Sequence, residues 1–128
     1  MRRTDQRRAA TFALYQRDVT GQPQSAEELT PFARELTEGV DEHRAELDRL
    51  ISEHAVGWDL DRIAPLERAI LRTALYEILH RPDVPDEVAI DEAVETAKMY
   101  CGSDAPAFLN GILGGAMKRL SSGDRRSA

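Results

Sequence analysis

From Leu66 to Leu113 the chain reads LERAILRTALYEILHRPDVPDEVAIDEAVETAKMYCGSDAPAFLNGIL. Apolar residues recur here at steps of three and four, punctuated by Pro82, Pro85, Gly102, Pro106 and Gly111. That periodicity is helical, and no segment of the chain alternates with the period of two that a strand requires. Pro65 suits a first helical turn, whereas the residue before Pro82 disfavours helix. The spacing therefore predicts a helix over Pro65–His80. Its flanks are so apolar (Leu66, Ala69, Ile70, Leu71, Thr73, Ala74, Leu75, Ile78) that it belongs at the centre of a fold.

The other elements follow from the same signals. A helix beginning near Pro85–Asp86 carries Ala89, Ile90, Ala93, Val94, Ala97 and Cys101 inward, and Gly102 ends it. Ser103 or Asp104 caps a last helix whose inner face is Leu109, Ile112, Leu113, Ala116, Met117 and Leu120. Upstream, a first helix spans about Thr4–Thr20, with Ala10, Ala13 and Leu14 inward and Thr4, Arg8, Thr11 and Tyr15 on another face. A second is expected after Ser25, with Glu28 closing a capping box and Gly39 as its stop. A third covers about Asp41–Ala55, broken by Gly57 and Trp58, and a single turn at Asp59–Ala64 is capped by an aspartate. The fold class is all-α. Residues 1–120 make one domain, and 121–128, without an apolar anchor, are expected to be a flexible tail.

Composition narrows the setting. A chain of 128 residues can bury a core without staples. Its one cysteine, Cys101, allows no intrachain disulfide, which fits a reducing cytoplasm. The start, MRRTDQRR, lacks the apolar region of a signal peptide, and no run approaches the roughly 20 apolar residues of a membrane span. The net charge of −6 is uneven. Residues 1–18 hold five arginines against two aspartates, a local +3 that leaves −9 on the remainder. A basic arm on an acidic body suggests a polyanion at one end and a basic partner elsewhere.

The residue types that carry catalysis are not grouped. His43 and His54 lie about 16 Å apart on one helix, and His80 stands alone at a helix end, so no metal site is expected. Glu87, Asp91 and Glu95 share a face that is either solvated or docks a basic protein. Cys101 reads as a buried, inert thiol. Gly111, Gly114 and Gly115 form no phosphate loop and are expected to permit close helix approach. Neither an enzyme nor a bound cofactor is expected. The first helix says more: arginines neutralise phosphates, and Tyr15 could stack on an unpaired base. Phe108 lies beside a helix start carrying Asp104, and both aromatics read equally well as core.

Four segments, RRAATFALYQ, ERAILRTALYEIL, RPDVPDEVAIDEAVETAK and FLNGIL, resemble the NusB family in residues, order and spacing over nearly the whole chain. The resemblance implies two packed three-helix bundles with the arginine-rich helix at an edge. It also implies a transcription antitermination factor that binds boxA RNA of ribosomal RNA transcripts together with NusE, a small-subunit ribosomal protein. The pair would then load onto RNA polymerase. The family's RNA surface maps to Arg2, Arg3, Arg7, Arg8, Asp104 and Phe108, and its partner surface to Tyr15 and Glu67.

The chain departs from the family pattern in three places. Thr4, Asp5 and Gln6 interrupt the basic run, Ala107 replaces a basic residue, and Gly114 replaces an aspartate. The first two remove positive charge, so weaker and less salt-sensitive RNA binding is expected. Replacing Arg7 and Arg8 together by alanine should weaken RNA binding with little loss of stability. The rival reading is a helical protein-interaction module, or a homodimer that covers the arm, with no specific RNA role. A complete RNA methyltransferase built on a similar helical region is not expected, because no cofactor-binding βαβ pattern is present.

Overall fold

The computed structural model describes residues 2–22 and 28–120. Its helices are α1 (Arg3–Thr20), α2 (Pro31–Glu42), α3 (Arg44–His54), α4 (Pro65–His80), α5 (Asp86–Tyr100) and α6 (Ala105–Arg119), with a 3-10 turn at Leu60–Arg62 between α3 and α4. No strand occurs among the described residues, so the all-α class holds. The first three helices and the last three pack on each other around α4, which touches all five others.

α4 has the bounds its sequence predicts. Pro65 occupies the first turn, and Arg81, ahead of Pro82, leaves the helix at ψ 81°. Every residue from Ala69 to Ile78 is buried. Leu71 and Leu75 meet Leu36, Leu47, Ile51, Leu109 and Leu113 in one continuous core. Burying each such side chain is worth about 1.5–3 kcal/mol, and their contributions hold the two halves together.

Two charged residues lie inside this apolar helix, and each is matched. Arg72 pairs with Asp48 (Nε–Oδ1 2.7 Å) on α3 and with Asp18 (Nη1–Oδ2 2.9 Å) on α1. Glu77 accepts from Arg7 of α1. An unpaired charge in such a place would cost several kcal/mol. The contacts Arg7–Glu77 and Thr11–Thr73 set α1 antiparallel to α4. Thr4–Glu92 and Phe12–Tyr100 set it parallel to α5.

Several boundaries differ from expectation. α2 starts at Pro31, not just after Ser25, which lies outside the described residues as does the expected tail 121–128. The Thr30 side chain accepts from Ala33 N–H and caps it. Gly39 does not stop α2. It is buried within the helix, and a Cβ there would fall 2.2 Å from Tyr76 Cζ, so only glycine lets the hydroxyl end of the Tyr76 ring come this close to α2. His43 is the joint between α2 and α3. Neither Asp59 nor Asp104 caps its helix through its side chain. Thr11, expected on the non-core face, is buried between α1 and α4. Of the three glycines in α6, only Gly115 meets a neighbouring element, against His54.

Candidate nucleic-acid interface

The four arginines at the start of α1 have different environments. Arg2 is exposed and reaches only Asp5, at 3.3 Å. Arg3 is exposed and lies over the Phe32 ring, 3.8 Å from its centroid. Arg8 is half-buried, and its Nε has no hydrogen-bond partner. Arg7 is turned inward. Its Nε donates to both carboxylate oxygens of Glu77, at 2.9 and 3.0 Å, and its Nη1 lies 3.8 Å from Glu92. Burial pushes the Glu77 carboxyl above the usual range, and Arg7 only partly pulls it back. Arg7 therefore spends its guanidinium on fixing α1 against α4. Arg17, the fifth arginine of the basic segment, bridges to Asp41 of α2.

At the other end of α4 a groove of about 530 Å³ collects three of the sequence-predicted residues, Glu67, Asp104 and Phe108. Glu67 comes from the first turn of α4, and Asp104 and Phe108 from the start of α6. Burial raises the Glu67 carboxyl above its ordinary value. Asp104 is exposed, whereas Phe108 packs partly on the core. Trp58, which reads in the sequence only as a helix breaker, completes the groove. It is 52% exposed and meets Phe108 edge to face, with ring centroids 5.8 Å apart. Tyr100, 48% exposed, makes a second edge-to-face pair with Phe12 of α1 at 4.9 Å. A large aromatic left half in water outside any helix interior is the signal that marks Trp58 in retrospect.

Tyr15 is partly buried against the core, and the antiparallel pairing places it toward the Glu67 end of α4. Glu67 and Glu77 are ten positions apart on α4, about 15 Å along its axis. The structure thus brings Glu67, Asp104 and Phe108 together and leaves Arg2, Arg3 and Arg7 at the opposite end of the same face-to-face pair of helices. Cys101 adjoins the groove, next to Gly102 and near Glu67. It is half-buried rather than buried as the sequence suggests, and burial and the Glu67 charge raise its thiol above the ordinary value. The groove offers flat rings, carboxylate acceptors and the exposed guanidinium of Arg62, and among the described residues lining it none is an activated nucleophile.

Residues 4–118 match the model of the NusB family. The chain belongs to the NusB family. It is 43% identical over 140 residues to the transcription antitermination protein NusB of Symbiobacterium thermophilum, covering 94% of this chain and 92% of that one. The solved structure of T. maritima NusB superposes with a TM-score of 0.82 at 33% identity, covering 92% of both chains. A structure of the antitermination factors NusB and NusE in complex with dsRNA shares the fold, with a TM-score of 0.79 at 23% identity over 91% of this chain and 96% of that one. The relatives it matches over nearly its whole length are transcription antitermination proteins.

Proposed function

We propose that this chain is a transcription antitermination factor. It binds boxA RNA of ribosomal RNA transcripts with NusE, and the pair loads onto RNA polymerase in the cytoplasm. The family supports the activity, since relatives over nearly the whole chain carry that name, and a NusB–NusE–RNA complex shares the fold. The observation that carries the reading is the groove that gathers Glu67, Asp104 and Phe108 beside an exposed tryptophan.

Each residue has a role that its chemistry allows. Arg2, Arg3 and Arg8 contact phosphates. Arg7 positions α1 through Glu77 and acts on RNA only indirectly. Phe108, edged by Trp58, stacks on an unpaired base, a contact worth about 1–3 kcal/mol per base. Asp104 accepts from the amino group of a base, so it selects rather than anchors. Tyr15 and Glu67 face NusE. A basic ribosomal protein complements the acidic body of this chain, which speeds encounter and fixes register.

The test is a titration of a fluorescent boxA-type RNA and a scrambled control, with the chain alone and with NusE, at two salt concentrations. Preference for boxA that NusE strengthens is expected. Equal weak binding to both RNAs, unmoved by NusE, would replace this reading with that of a helical interaction module. A stable dimer in light scattering that excludes RNA would favour the homodimer.

A further inference from the structure

We propose that His43, Glu46 and His80 form a binding site for a divalent transition metal ion of the zinc class. His43 and Glu46 are three positions apart, and the fold brings the distant His80 to them. His43 is the joint between α2 and α3, Glu46 lies in the first turn of α3, and His80 is the last residue of α4. His80 is therefore not alone at its helix end. Its ring stacks on that of His43, with centroids 3.8 Å apart and planes 19° from parallel. Glu46 Oε1 lies 2.9 Å from His80 Nε2 and 3.7 Å from His43 Nδ1. One ligand atom from each residue falls within 4.8 Å of the other two, and this is the one such trio of histidine, cysteine and carboxylate side chains among the described residues.

The donor set and its spacing suit zinc. Two imidazoles and one carboxylate are a zinc ligand set that leaves a fourth position open. Tetrahedral bonds of about 2.0–2.1 Å place neighbouring ligand atoms roughly 3.3 Å apart, and the separations of 2.9 and 3.7 Å straddle that value. The stacked rings aim their lone pairs nearly parallel, so binding requires one imidazole to turn out of the stack until both nitrogens converge on the ion. The histidines are 31% and 29% exposed, so an ion can reach them, while Tyr76 walls them on one side with ring centroids at 6.0 and 5.5 Å. Tyr76 is itself fixed by its seat on Gly39.

The local field also favours a cation. The site sits at the carboxyl end of α4, where the helix dipole is negative. Glu35, Glu42 and Glu77 are close enough for their charges to act on Tyr76, and Arg81 opposes them. A bound ion would tie the α2–α3 joint to the end of α4. His54 supplies an internal control. Its Nδ1 is engaged by the carbonyl of Leu50, and it packs on Gly115 away from the trio.

The experiment uses the full chain without a histidine tag, stripped of metal by chelator. Zn2+ is titrated by calorimetry, and Co2+ is followed through its visible d–d absorption. One equivalent per chain is expected, with Co2+ bands of four-coordinate intensity. At a hundredfold excess over Kd, Zn2+ should raise Tm by on the order of 10 °C. His43→Gln, His80→Gln and Glu46→Gln should each weaken binding at least tenfold, while His54→Gln and Cys101→Ser leave it unchanged. Glu46→Gln keeps the test decisive if a histidine variant does not fold. Absence of saturable binding would overturn the proposal. So would one ion per two chains, or loss of binding in His54→Gln or Cys101→Ser instead of the trio's variants.

Discussion

Arg7 and Arg8 are neighbours in sequence and opposites in environment. Arg7 is 11% exposed against a Glu77 that is 1% exposed. Arg7→Ala strands that carboxylate, so a loss of about 3 kcal/mol is expected in urea unfolding. The double replacement of Arg7 and Arg8 thus confounds stability with binding, contrary to the sequence-based expectation that it leaves stability intact. Arg8→Ala should keep stability within about 0.5 kcal/mol while weakening RNA binding. Asp18 gives a pH signature. Burial alone would raise its pKa, but hydrogen bonds and charge from Arg44 and Arg72 outweigh it and hold the carboxyl below its usual range. A lowered folded pKa contributes stability above the unfolded value of about 3.9, and that contribution is lost as pH falls through the folded value. Asp18→Asn should therefore cost about 1–3 kcal/mol near neutral pH, with the gap from the parent protein closing in acid. A gap that stays constant down to about pH 2 would mean Asp18 is not held by charge. Glu77, raised by burial, acts in the opposite sense: its contribution is present below its unfolded value and lost as pH rises through the folded one.

Among the elements, α4 was legible and α2 was not. Pro65, Arg81-Pro82 and an unbroken apolar face are local signals, and the helix keeps their bounds. Gly39 reads as a stop because glycine usually is one, but its reason lies in the Tyr76 ring far along the chain. Gly39→Ala should gain about 1 kcal/mol in helix propensity and lose more to overpacking, of which Tyr76→Leu should recover part. Thermal unfolding of the single and double variants measures both terms. The same limit applies to the candidate sites. Glu67 and Asp104 share a groove only because the start of α4 packs beside the start of α6, and no spacing rule foretells that. The stack of His43 on His80 is hidden for the same reason, since the sequence offers His54 as the partner on the same helix. The arginine-rich start of α1 was visible as charge, but which arginine points inward depended on Glu77.

At the scale of the whole molecule, two kinds of contact are kept apart. The arginines proposed to contact phosphates, Arg2, Arg3 and Arg8, stand toward one end of α4, and the aromatic groove, which Arg62 also lines, stands about 15 Å away. Electrostatic and stacking contributions to RNA binding should therefore separate by mutation. Each phosphate contact on a single strand contributes about 0.7 to the slope of log K against log salt. Those three arginines on a chain of net charge −6 give a shallow slope of roughly −2 without NusE. Arg8→Ala should reduce that slope by about 0.7. Phe108→Leu keeps apolar volume against the core but removes the ring, so it should weaken binding by about 1–3 kcal/mol with the slope unchanged. Affinity measured across a salt series for both variants decides the matter. If Phe108→Leu flattens the slope as Arg8→Ala does, the groove carries phosphate and not a base, and the division between the two ends of α4 fails.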